Sequence, residues 1–192
     1  MRIVGGNFRG RALASPKAGS ASIRPTTDRT RESLFNIITH GWPEKLDETR
    51  ILDLFAGTGA VGFEALSRGG AMALFIEQSA EGRGLIRANI EALGLQGRTK
   101  LFRRDATRMG EIGTMEPFDF VFADPPYGKG LAERALASLH DGGWLKPGAL
   151  VVVEEAANAG FTAPQGFSLA DTRDFGDTRM YFMVGESDEE TG

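Results

Sequence analysis

Two stretches of the chain carry residue types and spacings that could do chemistry. The first, Asp124-Pro125-Pro126-Tyr127-Gly128, follows the apolar run FDFVFA. An exocyclic amine on a nucleobase is a poor nucleophile because its lone pair is delocalised into the ring. Two acceptors that hold its two N–H bonds orient the nitrogen and favour a more tetrahedral geometry. The Asp124 carboxylate is one such acceptor and the carbonyl of Pro125 the other, held in place because Pro125 and Pro126 restrict the backbone. Tyr127 offers a flat face on which an unstacked base can lie. As a group transfers to nitrogen, positive charge develops there and nearby acids stabilise it. The surplus proton leaves to Asp124 or to water, and no metal is needed. In isolation the same residues also make a plain strand-ending turn.

The second stretch, LDLFAGTGAVGFEA (52–65), satisfies G-x-G-x-x-G at Gly57, Gly59 and Gly62, with Glu77 further on. That is the pattern of a dinucleotide loop. Asp53 argues against phosphates, because a carboxylate on the preceding strand opposes the anion that a helix N-terminus would attract. S-adenosylmethionine carries no phosphate; it has a sulfonium, an ammonium, a ribose diol and an adenine amine. Asp53 suits its amino-acid end, and Gly57 and Gly59 allow close backbone approach. Glu77 can accept both ribose hydroxyls. Asp105 can accept from the adenine amine, with the backbone N–H of Ala106 beside it. An NAD-linked oxidoreductase is the alternative for this loop.

These residues need a scaffold, and the pattern supplies one. RILDLFA, AMALFIE, TKLFRRDA, FDFVFAD and ALVVVEEA read as strands. GAVGFEALSRGG, SAEGRGLIRANIEALGL and KGLAERALASLHDGGWL read as helices between them, with a short irregular helix before the fourth strand. Such alternation implies a parallel sheet covered on both faces. FSLADTRDF and TRMYFMVG, joined by Gly176-Asp177, read as an antiparallel hairpin. In an open α/β sheet, ligands bind outside the carboxyl ends of the strands. Asp53, Glu77, Asp105 and Asp124 therefore converge on one edge.

Ahead of the sheet, residues 2–14 read as a small hairpin and SPKAGSAS (15–22) as a loop. Thr26 and Thr27 offer an N-cap to a helix over DRTRESLFNIITHG. The division expected is a basic extension over 1–42, a catalytic domain over 43–185 and an acidic, disordered tail over 186–192. Net charge is −4, yet residues 1–31 hold seven basic side chains and one acid, which leaves 15 basic and 25 acidic in the remainder. A positive end on an acidic body suits contact with phosphates. Arg9, Arg11, Lys17, Arg29 and Arg31 are the candidate platform. There is no cysteine, which rules out thiol nucleophiles and cysteine zinc sites. His40 and His140 each end a helix, where charge complementarity explains them. No signal peptide or membrane span is apparent, and a cytoplasmic protein is expected.

DLFAGTG, the acid in FIEQS, RRDA and DPPY resemble motifs I to IV of class I S-adenosylmethionine-dependent methyltransferases that act on amino groups. The segment RPTTDRTRESLFNI (Arg24–Ile37) narrows the resemblance. With the starting MRIVGGNFRGR and the closing TRMYFM, the chain resembles the RsmD family of 16S ribosomal-RNA guanine-N2 methyltransferases from Arg2 to about Val184. The resemblance implies a Rossmann-like, seven-stranded, mostly parallel sheet with an antiparallel last strand. It implies cofactor contacts at Asp53, Phe55, Gly57, Gly59, Glu77, Gln78, Asp105 and Ala106, with Arg24 and Thr26 helping to close that site. It assigns the target guanine to Asp124–Tyr127, and 16S rRNA within the small subunit as the partner; a monomer is expected. The residues alone accommodate guanine or adenine. Two further alternatives are a DNA amino-methyltransferase and a non-catalytic ribosome assembly factor.

Overall fold

The computed structural model describes residues 1–20 and 23–186. The last two positions of the 15–22 loop and the acidic tail from 187 onward lie outside the described residues. The elements are α1 (Asp28–Gly41), β1 (Arg50–Leu54), α2 (Ala60–Ser67), β2 (Met72–Ile76), α3 (Ala80–Leu93), β3 (Thr99–Phe102), β4 (Phe118–Ala123), α4 (Leu131–Asp141), β5 (Leu145–Ala156), β6 (Phe167–Phe175) and β7 (Thr178–Gly185). They build one seven-stranded sheet in the order β3-β2-β1-β4-β5-β7-β6. β1 to β5 pair in parallel, and β7 lies antiparallel between β5 and β6. This is a Rossmann-like α/β fold whose order reverses between β1 and β4. Helices leaving those two strands diverge, and the crevice between them is where such folds bind ligands.

Alternation along the strands divides the core. Ile51, Phe75, Phe120, Phe122 and Val152 join α1, α2 and α3 on one face, through Leu34, Phe35, Ile38, Val61, Phe63 and Ile86. Leu52, Leu54, Leu74, Val121 and Val153 meet α4 on the other, through Ala132, Leu136 and Leu139. α2 is buried along its whole length, and its one acid, Glu64, is therefore the informative residue. The Glu64 carboxylate accepts the N–H groups of Val4 at 3.0 Å and Gly5 at 2.8 Å and the Arg68 Nε–H at 3.0 Å. A buried charge is tolerated because it is fully bonded. In the same act it fastens the start of the chain to the sheet.

That start is less regular than expected. A single antiparallel bridge joins Arg2 and Ala12, supported by Ile3 N–H to the Arg11 carbonyl at 2.9 Å and Gly10 N–H to the Ile3 carbonyl at 2.8 Å. Ile3 and Leu13 enter the same core as α1 and α2, so the start of the chain packs into the core of the sheet. α1 starts where its cap predicts: the Thr27 Oγ1 accepts the Thr30 N–H at 3.1 Å. The irregular helix expected before β4 is absent. Residues 103–117 form turns, interrupted by Gly110 and Gly113 at positive φ, and outside partners pin them. Trp144 Nε1–H donates to the Gly110 carbonyl at 2.7 Å, and Ile112 N–H to the Gly142 carbonyl at 2.9 Å.

Candidate active site

The strands end level with one another. Leu54 pairs with Ile76 and with Ala123, Ile76 with Phe102, and Ala123 with Val153. One step further along the sheet stand Phe55, Glu77, Asp124 and Glu154. Phe55, Glu77 and Asp124 line a cavity of about 450 Å³, within the range of roughly 300–1,000 Å³ typical of small-ligand sites. Its lining joins the segment before α1 (Ile23–Thr26), the loop after β1, the end of β2 and the Asp124–Tyr127 turn. Arg24, Thr26, Asp53, Phe55, Gly57, Glu77, Gln78, Ala106 and Asp124–Tyr127 all line it. The structure thus brings these sequence-predicted residues together.

The loop after β1 is wound tightly. Phe55 adopts φ 52° and Gly57 φ 59°, a left-handed conformation that costs a non-glycine residue roughly 1–2 kcal/mol. Its N–H groups are turned inward. Ala56 donates to the Ile76 carbonyl at 3.0 Å, Gly59 to the Ala56 carbonyl at 2.8 Å and Gly57 to Glu77 Oε2 at 2.7 Å. Glu77 Oε1 also accepts from Ser79 N–H at 3.1 Å. Each Glu77 oxygen keeps a further lone pair, and Glu77 lines the cavity. Asp53 is buried and its Oδ2 accepts the Gly62 N–H at 3.0 Å. Burial pushes its carboxyl well above the usual range, the Gly62 bond opposes this, and the neighbouring Glu77 adds to it.

The acceptor side is built around Asp124. Its side chain is 15% exposed, and the Arg24 guanidinium lies 3.9 Å from Oδ1, too far for a hydrogen bond. Oδ1 is buried with no hydrogen-bond partner among the described residues. Burial first, then the charge of Glu154, pushes this carboxyl well up. The same Arg24 guanidinium stacks 4.0 Å above the centre of the Tyr127 ring. The Tyr127 hydroxyl donates to Glu154 Oε1 at 3.1 Å, and Gly128 N–H to Glu155 Oε1 at 3.0 Å.

One expectation needs correction, and two further residues fall outside the cavity lining. Arg31, assigned to the basic platform, is fully buried; it holds the Arg2 carbonyl at 2.8 Å and pairs with Asp28. Gly59 does not line the cavity. A Cβ there would lie 2.7 Å from the Phe63 ring and 3.0 Å from that of Phe75, so glycine serves packing and the φ of 78°. Asp105 is also outside the lining. Its Oδ1 accepts the Thr107 N–H at 2.9 Å and hydroxyl at 2.7 Å, bonds that hold its carboxyl below the usual range. Its neighbours Arg104 and Ala106 form that wall instead. Arg104 was missed, as was Glu154, whose signal was an acid pair closing the apolar run VVV.

Arg9, Lys17 and Arg29 are exposed, and Arg11 donates to the Ala92 carbonyl at 2.7 Å. His40 and His140 sit in the last turns of α1 and α4, outside the cavity lining.

The donor set fits S-adenosylmethionine. Three carboxylates line the cavity where a sulfonium and an ammonium need them, and Glu77 presents two acceptors to a diol. Of the loop N–H groups, those of Ala56, Gly57 and Gly59 are bonded to the Ile76 carbonyl, Glu77 and the Ala56 carbonyl, and the carboxylates of the lining oppose the phosphates of NAD. Fold and site define a class I, S-adenosylmethionine-dependent methyltransferase. The chain belongs to the family described as conserved hypothetical protein 95, whose family model matches residues 1–184. It is 40% identical over 171 residues to ribosomal RNA small subunit methyltransferase D of Escherichia coli (strain K12), covering 88% of this chain and 82% of that one. Its counterpart of the same name in Haemophilus influenzae is 34% identical, over 88% and 86% of the two chains. The solved structure of yhhF from Escherichia coli superposes with a TM-score of 0.81 at 33% identity, covering 97% of this chain and 98% of that one. An RNA methyltransferase from Salinibacter ruber, solved in complex with S-adenosyl-L-homocysteine, shares the fold at 17% identity and a TM-score of 0.65, over 86% and 95% of the two chains.

Proposed function

We propose that this enzyme methylates the exocyclic N2 amine of a guanine in 16S rRNA, within the small ribosomal subunit or an assembly intermediate, acting in the cytoplasm as a monomer. The observation that carries the reading is the orphaned Asp124 Oδ1, buried at the cavity wall beside the Tyr127 ring. An unpaired buried carboxylate oxygen is costly, and an amine N–H would satisfy it. S-adenosylmethionine, when bound, supplies an electrophilic methyl group on a sulfonium sulfur. Asp124 orients the amine and takes up one of its protons, while the Pro125 carbonyl accepts the other N–H. Tyr127 stacks on the base, and Asp53 and Glu77 hold the cofactor's amino-acid and ribose ends. Gln78 and Ala106 flank the ribose and adenine, and Arg24 and Thr26 close the site.

The acceptor follows from the relatives named small subunit methyltransferase D and from the exposed charges of Arg9, Lys17 and Arg29, with Arg11 beside them. Phosphate contacts position an RNA, and the flipped base is read by its edge and by stacking. The test supplies methyl-labelled S-adenosylmethionine to unmodified small subunits, free 16S RNA and duplex DNA. Label recovered as N2-methylguanosine from the subunit is the expected result. Label in DNA, or in another base, overturns the acceptor assignment.

A further inference from the structure

Glu154 lies on β5 one position past Val153, the register partner of Ala123, so it stands beside Asp124 at the level strand ends. It is buried at 7% exposure. Its Oε1 accepts two hydroxyl protons, from Tyr127 at 3.1 Å and from Thr178 on β7 at 3.1 Å. Among the described residues its Oε2 is buried without a partner, as is Asp124 Oδ1. Two neighbouring buried carboxyls with one orphaned oxygen each are unstable as a pair of anions. In the free enzyme one proton held between Glu154 Oε2 and Asp124 Oδ1 satisfies both atoms; when the acceptor binds, that proton stays on Glu154 and the amine N–H takes its place at Asp124 Oδ1. We propose that Glu154 is a positioning residue that carries this proton, which leaves the acid pair a single negative charge to receive the acceptor amine.

The surroundings support that count. The groups facing the pair are Arg24 from the segment before α1, Asp53 from β1, Tyr127 from the turn after β4 and Glu155 from β5 itself. β7 contributes the Thr178 hydroxyl, while its neighbour Arg179 is paired with Asp174. One exposed guanidinium stands against four acids, so a second full negative charge has no compensation. Burial pushes both carboxyls upward, and for Asp124 the neighbouring acids add to it. After transfer, one N–H bond of the methylated amine breaks, its electron pair stays on nitrogen, and the proton passes to Asp124. The pair becomes neutral and then returns one proton to solvent. Through Oε1, Glu154 also holds the Tyr127 ring, so proton state and stacking surface are tied to one side chain.

The role of the pair in transfer rests on the acceptor reading above; the existence of the shared proton does not. Two measurements separate them. The first is an infrared difference spectrum, wild type minus Glu154→Gln, on the free enzyme at neutral pH. A protonated-carboxyl C=O band, shifted by Asp124→Asn, is expected, and its absence overturns the shared proton whatever the acceptor is. The second is the pH profile of single-turnover transfer. Wild type loses activity at high pH as the pair becomes doubly ionised. Glu154→Gln, locked in the neutral form with its amide N–H toward Asp124, loses that alkaline limb and keeps the acidic one. Glu154→Ala, matched to Glu154→Gln in its thermal midpoint, also lacks the alkaline limb, but without an N–H toward Asp124 or a hold on Tyr127 it transfers more slowly than Glu154→Gln; equal rates in the two variants overturn the positioning role. An alkaline limb unchanged in Glu154→Gln refutes the role in transfer. Altered limbs with label in a base other than guanine leave the pair intact and overturn only the acceptor.

Discussion

Arg31→Ala tests whether the arginines near the start of the chain do one job or two. The Arg31 side chain is fully buried, and its terminal nitrogens bond to the Arg2 carbonyl at 2.8 and 3.3 Å while Nη2 also pairs with Asp28. Hydrogen bonds that involve a charged group contribute about 1.5–3 kcal/mol, and each buried methylene of the stem about 0.8 kcal/mol. Desolvation of the guanidinium opposes this, and Nε has no partner among the described residues, a cost of about 1–3 kcal/mol. Truncation should therefore destabilise by roughly 3 kcal/mol, at the low end for a broken buried pair. For a domain of this size the Tm should fall by roughly 6–12 °C. Arg9→Ala, at an exposed site, should stay within about 0.5 kcal/mol of wild type. RNA binding reverses the order. Arg9→Ala should flatten the slope of log affinity against log salt by about 0.7–0.9, and Arg31→Ala should leave it unchanged, because Glu64 still holds Val4 and Gly5. Calorimetry and a salt titration of RNA binding, below the lowered Tm, read both quantities. An unchanged Tm in Arg31→Ala, with a slope as shallow as that of Arg9→Ala, would put the guanidinium on phosphate and refute the burial argument.

Other outcomes follow from the same geometry. Asp124→Ala should slow methyl transfer by about a hundredfold or more while cofactor affinity, read by calorimetry, stays near wild type; near-normal turnover would remove Asp124 from the chemistry. Gly62→Ala places a Cβ 2.4 Å from the Phe75 ring and 3.2 Å from Asp53 Oδ2. Overpacking of about 1–3 kcal/mol, set against a helix-propensity gain of about 1 kcal/mol, predicts a modest fall in stability with a clear loss of cofactor affinity. For Asp53, whose folded carboxyl is raised by burial above the ordinary 3.8, the folded state binds protons more tightly than the unfolded one. Its contribution to stability therefore declines as pH rises from 3.8 toward the raised value. Asp53→Asn should abolish that decline in a Tm-against-pH series and weaken cofactor binding.

The sheet was legible because parallel strands buried on both faces leave apolar runs that periodicity finds, and the binding edge because acids at successive strand ends have few other reasons to align. What the sequence withheld was the destination of individual side chains. Arg29 and Arg31 sit two positions apart on α1, so helical geometry turns one to solvent and the other to the core; a charge count treats them alike. Asp105 is drawn into its own turn by Thr107, a local competition that Asp commonly wins outside helices. Gly57 and Gly59 are equivalent in the motif, yet only the second has the Phe63 and Phe75 rings behind it. Glu154 was hidden for another reason. Its significance depends on the β4–β5 register, which brings it beside Asp124, and register between distant strands is set by packing rather than by either segment alone.

On the proposed reading, Arg24 stands where the acceptor base enters. It lies over the Tyr127 ring and near Asp124, the same two surfaces that a stacked base and its amine would use. Its side chain is 62% exposed, so the cation–π contact is worth about 0.5–1 kcal/mol and the long ion pair no more than about 1 kcal/mol. A base that stacks on Tyr127 and donates to Asp124 replaces both contacts, so Arg24 opposes entry by about 1–2 kcal/mol. Arg24→Ala should therefore lower the acceptor KM by about fivefold to thirtyfold, and should loosen the cofactor if the residue also closes that site. Titrating both ligands separately distinguishes the effects. A rise in acceptor KM with cofactor affinity unchanged would mean that the guanidinium binds the RNA, and that the stacking face of Tyr127 is not what Arg24 guards.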